Sequence, residues 1–219
     1  MKVIDFHTHI LPCADHGSDS LETSLKQLSL AKDAGVDVII ATPHFYPHRH
    51  KLSDFLERRS AAYQALKEVS DAKILCGAEV LLCEKIENLN DIDSLCIEGT
   101  KTLLLELPFS SFKDSYIASV EELIEKGYNI VLAHAERYPE NAIEALIAVG
   151  AKIQLNASAV SGIFIKRHIR RWLTSGHVTA LGSDIHMLKK KHYSDFVKSR
   201  RKLNDTFSYI MEQTEKYLS

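Results

Sequence analysis

Residues 4–17 read IDFHTHILPCADHG, an apolar run that gives way to histidines and aspartates. Three histidines and two aspartates stand within the first seventeen positions. Successive side chains of a strand alternate in direction, so the i, i+2 spacing of His7 and His9 sends both imidazoles to one face. The fold depends on what the later segments set beside that face.

Further along, short apolar, β-branched runs alternate with longer amphipathic segments. KVIDFH, VDVIIATP, AKILCGAEV, KTLLLELP, NIVLAHAE, AKIQLNAS and HVTALGSD read as seven strands. Between them, residues 21–34, 53–70, 114–127, 139–149 and 161–175 carry apolar residues at helical spacing. Gly35, Gly127, Gly150 and Gly176 stand where helices end before the next strand. Strands this apolar, with little alternation, belong to a parallel sheet covered by helices. The βα order predicts a barrel or a doubly wound sheet, and both place chemistry at the carboxyl ends of the strands. Residues 84–100 break the rhythm without a long helix, which predicts a distortion there, and residues 192–218 predict a covering helix.

The 219 residues suffice for a single domain, expected to span 1–219. Hydrophobic residues make up 45% and charged residues 26%, with a formal charge of −2. That balance gives no argument for wholesale binding to nucleic acid or to an anionic membrane. No apolar run approaches the roughly 20 residues of a membrane span. The start lacks the order of a signal peptide, so a cytoplasmic protein is expected and not a membrane protein. Cys13, Cys76, Cys83 and Cys96 form no CxxC pair and are expected to act as small buried hydrophobes.

The strand ends share one chemistry. His7 and His9 end the first strand, His44 the second, Glu79 the third, Glu106 the fourth, His134 the fifth, and Asp184 with His186 the seventh. Glu79 and Glu106 are the carboxylates within otherwise apolar runs, and burying an ionised carboxylate is costly without a cation or donors. A lone histidine at a strand end usually serves packing. Eight ligand types converging on one barrel mouth predict a metal site, and the mixture of imidazole and carboxylate suits manganese, iron, cobalt or zinc better than calcium.

In this order and spacing, HTHILPCADHG, ATPHF, GAEV, ELPF, HAERY, NASAVSGIF and GSDIH resemble the bacterial metal-dependent protein-tyrosine phosphatases of capsule and exopolysaccharide operons. These belong to the polymerase and histidinol phosphatase (PHP) superfamily. The resemblance implies a distorted (β/α)7 barrel holding two to three divalent or trivalent metal ions, manganese foremost. It implies that His7, His9 and Asp184 hold the first ion, that Glu79 bridges to a second completed by Glu106 and His134, and that His44 and His186 hold a third. It also implies that Arg137 grips the phosphate and that the partner is the phosphorylated tail of a bacterial tyrosine kinase. A homo-oligomer is compatible with it. Two positions depart from the family pattern. His16 stands where relatives carry a carboxylate, with Asp15 as an alternative ligand, and Lys191 stands where relatives often carry an arginine for the phosphate. Asp184 and His186 join Arg137 as expected catalytic residues, with His186 or His16 placed to assist the leaving phenolate.

Other routes to phosphate hydrolysis are closed. Six positions after the four cysteines stand Asp19, Leu82, Leu89 and Thr102, none of them the arginine that a cysteine phosphatase requires. The chain has no GxxxxGK[ST] loop and no GxSxG elbow. The basic runs IKRHIRR (165–171) and KKKH (189–192) could steer an acidic phosphopeptide, although as solvated helix faces they need no function. Phe45, Tyr46 and Phe109 follow ligand positions and either line the pocket or pack beside it, whereas His48, His50, His168, His177 and His192 read as surface or packing residues. Two other functions stay open: a small-molecule phosphomonoesterase of histidinol-phosphatase type and a non-catalytic metal-binding interaction module.

Overall fold

The computed structural model describes residues 1–109, 112–188 and 191–218. Its strands are β1 (Ile4–Thr8), β2 (Val38–Ala41), β3 (His44–Phe45), β4 (Ile74–Cys76), β5 (Glu79–Leu81), β6 (Thr102–Glu106), β7 (Asn129–Leu132), β8 (Lys152–Asn156) and β9 (Val178–Gly182). Every pairing is parallel, in the orders β1-β2-β4 and β3-β5-β6-β7-β8-β9.

Two of the seven expected strands are bent. Pro43, which has no N–H to give a ladder, separates β2 from β3, and Gly77 separates β4 from β5. Hydrogen bonds carry the pairing past both bends, from Gly77 N to Ala41 O at 2.8 Å and from Glu79 N to Pro43 O at 3.1 Å. β1 meets the far end of the sheet through Asp184 N to His7 O at 2.8 Å and His9 N to Ile185 O at 3.3 Å. The ring is a distorted (β/α)7 barrel. Residues 84–100 supply two short 3-10 turns, Ile86–Asn88 and Ile92–Leu95, where a regular unit would have a helix.

The helices are α1 (Leu21–Asp33), α2 (Leu52–Lys67), α3 (Asp114–Glu125), α4 (Glu140–Ala148), α5 (Ala157–Ser161), α6 (Arg167–Thr174), α7 (Lys191–Leu203) and α8 (Asp205–Tyr217). Ser20 caps α1, its hydroxyl accepting from Thr23 N. α3 buries Tyr116, Ser119, Val120 and Leu123, the stripe that a 3.6-residue period turns inward. The glycines expected to end helices all take positive φ. Two long helices of the sequence reading prove divided. Residues 161–175 split into the end of α5, a loop at 162–166 and α6, and the covering segment breaks at Asn204, where φ is 47°. Cys96 is buried as expected, but Cys76 and Cys83 are half-buried and Cys13 is exposed, so the buried-hydrophobe reading fails for Cys13.

Two glycines make room for histidines. A Cβ on Gly182 would lie 2.6 Å from His7 Cβ and 2.8 Å from Gln154 Nε2, and one on Gly17 would lie 2.1 Å from His9 Cβ. Any side chain at either place displaces an imidazole.

Candidate metal centre

Strand alternation puts Asp5, His7 and His9 on the inner face of the first strand and Gln154 with Asn156 on that of β8. Register then builds the opposite wall: His44 pairs with Glu79 across β3 and β5, and Leu81 with Glu106 across β5 and β6. His134 and Asp184 stand two residues past the ends of β7 and β9, with φ of 33° and 51°. These left-handed kinks end the strands and turn the two side chains across the mouth.

Glu79, fully buried, is the centre of the cluster. Its Oε2 lies 3.3 Å from His7 Nε2, 3.3 Å from His9 Nε2 and 2.8 Å from His44 Nδ1, and its Oε1 lies 2.7 Å from His134 Nε2. Glu106 stands 3.7 Å from His44 Nδ1 and 3.6 Å from His134 Nε2. Asp184 Oδ1 is 3.7 Å from His7 Nε2, 3.4 Å from His9 Nε2 and 3.3 Å from His186 Nδ1. Among the described residues three groups of potential ligands emerge, each with donor atoms within 4.8 Å of one another: His7, His9 and Glu79; His44, Glu79 and Glu106; and His9, His44 and His186.

The hydrogen bonds behind the histidines test whether a cation fits. Gln154 Oε1 accepts from His134 N at 2.7 Å, which fixes the orientation of the amide, and faces His7 Nδ1 at 3.1 Å. An amide oxygen only accepts, so His7 carries its proton on Nδ1. Asp15 Oδ2 likewise accepts from His9 Nδ1 at 2.7 Å. Both Nε2 lone pairs therefore point inward, 3.0 Å apart, with the oxygens of Glu79 and Asp184 facing the same point. Glu79 Oε2 and His44 Nδ1 are buried without a well-formed hydrogen bond. Electron pairs that converge on one point are what a bound cation satisfies, so the residues fit a metal.

The electrostatics carry the same message. Burial acts to lower the His7 and His9 imidazoles, but Glu79 and Asp184 around His7, and Asp15 with the same carboxylates around His9, raise both above the ordinary histidine range. Proton and metal compete for these nitrogens. Burial acts to raise Glu79 and Asp184, yet the surrounding imidazoles hold both well below the usual carboxylate range. Glu106 is pushed up to about 8 by burial and then by the charge of Glu79. His16 is lowered by burial and by His44 and His186, which leaves it neutral at pH 7.

Most residues expected from the sequence come together here. His16 stacks on His44 at 4.7 Å and lies 4.8 Å from the His186 ring. Asp15 turns away from the mouth: besides His9, it accepts from Gly17 N at 2.8 Å and from His44 N at 3.0 Å, so it braces His9 and His44. Arg137 pairs with Asp184 Oδ2 while its side chain is 42% exposed. A cavity of about 490 Å³ covers the cluster, with His16, Arg137, Tyr46 and Phe109 on its wall. A side pocket of about 170 Å³ brings Lys191 onto the same wall as Arg137. Phe45 packs inside against Phe55, at 5.0 Å between ring centres, and is not part of the pocket. His192, read as a surface or packing residue, lines both cavities with its Nδ1 2.9 Å from Ser183 O. Lys189 and Lys190 of the KKKH run lie outside the described residues.

Gln154 and Asn156 escaped the sequence reading. Gln154 Nε2 donates to Asn156 Oδ1 at 3.0 Å, and Asn156 Nδ2 donates to Asp184 Oδ2 at 3.0 Å. One amide ladder thus connects His7, His134 and Asp184. Its signal in the sequence was two amides at i, i+2 in an apolar strand, the spacing of the histidine pair on β1.

The family model for capsular polysaccharide synthesis, CpsB/CapC, matches residues 3–213. The tyrosine-protein phosphatase YwqE of Bacillus subtilis (strain 168) is 29% identical over 203 residues, covering 87% of this chain and 80% of its own. The tyrosine-protein phosphatase CpsB of Streptococcus pneumoniae is 27% identical over 210 residues, covering 86% and 85%. A solved structure from work on YwqE and CpsB, described as unique metal-dependent tyrosine phosphatases, superposes with a TM-score of 0.81 at 26% identity, over 99% of this chain and 94% of its own. With the barrel, the ligand clusters and nearly the whole length in agreement, the chain belongs to the CpsB/CapC family of capsular polysaccharide synthesis.

Proposed function

We propose that this chain is a metal-dependent protein-tyrosine phosphatase of the cytoplasm, acting on the phosphorylated tail of a bacterial tyrosine kinase that controls capsule or exopolysaccharide synthesis. The observation that carries the reading is the convergence of the His7, His9, Glu79 and Asp184 electron pairs beneath a solvent-facing arginine. Its relatives YwqE and CpsB are named tyrosine-protein phosphatases.

His7, His9 and Asp184 would hold one ion. Glu79 would be shared with a second, completed by Glu106 and His134, and His44, His186 and His16 would hold a third. Manganese is the first candidate, with iron, cobalt and zinc as alternatives. When bound, such ions bring water to deprotonation near neutral pH and neutralise charge on phosphoryl oxygens.

The chain's own residues do the rest. Arg137, always charged and planar, turns from Asp184 to two phosphoryl oxygens, and its fork orients the phosphate for in-line attack. Lys191 adds a second cation on the same wall without that fork. Tyr46 and Phe109 offer apolar faces to the tyrosyl ring. The leaving phenolate, with a solution pKa of about 10, needs its charge stabilised, which the third ion held by His44, His186 and His16 beside the cavity would supply.

The experiment is phosphate release from a phosphotyrosyl peptide by chelator-stripped protein, before and after Mn²⁺ is returned. Release only after metal return supports the reading. Absence of release in both conditions, with metal bound, overturns it in favour of a small-molecule phosphomonoesterase or a binding module.

A further inference from the structure

Ile163 and Phe164 are adjacent and 89% and 85% exposed, the most exposed large apolar side chains among the described residues. They form the tip of the loop at 162–166, which follows β8 and α5 and so stands at the mouth end of the barrel. Lys202 braces the tip from α7 by donating to the carbonyls of Gly162 and Ile163.

The loop and the α6 that follows it carry charge of one sign. Residues 162–171, GIFIKRHIRR, contain no acidic residue. Lys166, Arg167 and Arg170 are exposed, and among the described residues no ion pair within 4.0 Å holds them, whereas Arg171 turns back to Glu140 and Glu144. α6 buries Ile169 and Trp172 against the core, so its orientation is fixed with the basic face outward. β9 pairs with β8, and the loop after it presents Met187 and Leu188, 40% and 43% exposed, on the same rim.

We propose that this rim docks the protein on an anionic lipid bilayer, with Ile163 and Phe164 inserted among the headgroups and Lys166, Arg167 and Arg170 against the lipid charge. Apolar anchors beside a basic helix face are the combination that binds peripherally to anionic membranes. Charge complementarity selects this occupant. A stable dimer buries roughly 800 Å² on each partner, more than a two-residue protrusion ringed by like charges offers a second copy. The chain's formal charge of −2 conceals this local excess. Docking by the mouth-side rim turns the metal cluster toward the bilayer. If the chain is a phosphatase, its preferred phosphotyrosines lie close to a membrane surface.

The test is co-sedimentation of the full chain with vesicles of phosphatidylcholine alone and of phosphatidylcholine with phosphatidylglycerol. Two surface double variants, Ile163→Ser/Phe164→Ser and Lys166→Glu/Arg167→Glu, are compared, their folding checked by thermal melts. The expected result is binding to the anionic vesicles alone, weakened about tenfold or more in either variant and abolished by high salt. No binding to anionic vesicles, undiminished binding by both variants, or a dimer that Ile163→Ser/Phe164→Ser dissociates without any vesicle binding would overturn the proposal. Phosphate release from a soluble phosphopeptide should be unchanged in both variants, so a failure of docking and a failure of the phosphatase reading register in separate assays.

Discussion

The cavity over the strand ends and the cleft beside α2 are close in size, about 490 and 400 Å³, yet their polar groups are in opposite situations. In the cleft, Arg59 donates to the carbonyls of Gly77 at 2.9 Å and Ser94 at 3.0 Å. The thiols of Cys76 and Cys96 are pushed up to about 12 by burial, which keeps them protonated and inert. Over the strand ends, His7 and His9 have their good hydrogen bonds behind them, and their inward nitrogens face Glu79 Oε2, which has no well-formed hydrogen bond of its own. Volume does not distinguish the two spaces. What distinguishes them is whether the polar atoms satisfy one another, and only the mouth needs something from outside.

Substitutions that act on one space and spare the other test this contrast. The largest effect is expected at Asp184: Asp184→Ala should lower turnover of a phosphotyrosyl peptide by about 10³-fold, measured at saturating metal. Near-normal turnover would show that the wrong residues have been assigned to the site. Gln154→Leu removes the acceptor behind His7 and His134 and should weaken metal binding by about 10- to 100-fold in competition with a chromophoric chelator, with Gln154→Glu restoring part of the loss. Unchanged affinity would mean that the amide ladder only packs.

A third prediction concerns pH. Asp5, fully buried on the face of β1 that carries His7, accepts from Ser183 N at 2.8 Å and is pushed up to about 6 by burial. The folded chain keeps that proton to pH about 6, while the unfolded chain releases it near 4. The folded state therefore binds more protons across this window, and rising pH costs it about 3 kcal/mol. Asp5→Asn lacks the titration, so relative to the parent it should gain about that much unfolding free energy between pH 4 and 7 in urea titrations. A constant difference across the range would rule out the buried-acid account. The smallest effect belongs to the cleft: Arg59→Ala should leave turnover unchanged and cost about 2 kcal/mol of stability for its two charged hydrogen bonds. A loss of turnover there would erase the distinction between the two spaces.

Much of this was readable in the chain because one period served two purposes. The i, i+2 spacing of His7 and His9 announced both a strand and a shared face, and glycines before successive strands marked the βα repeat. The bends were harder to see. Pro43 and Gly77 interrupt runs whose composition is continuous, and the hydrogen bonds that carry the sheet past them are made by backbone. The division of 161–175 was hidden because Ile165, Ile169 and Trp172 keep helical spacing, although Ile163 and Phe164 just before them face solvent. In the site, ligand types stood out by their chemistry, whereas the part of Asp15, an alternative to His16 as a ligand, shows only in its hydrogen bonds with His9, Gly17 and His44. Gln154 and Asn156 looked like ordinary strand residues because an amide has no charge to betray its burial.

The left-handed backbone at His134 and Asp184 bears on how this protein can change. A side chain with a Cβ costs roughly 1 to 2 kcal/mol in that conformation, and glycine relieves it. Selection for heat resistance alone should therefore enrich glycine at both positions and yield sturdier proteins that no longer work. A lineage that keeps His134 and Asp184 is one in which activity, not endurance, is being selected.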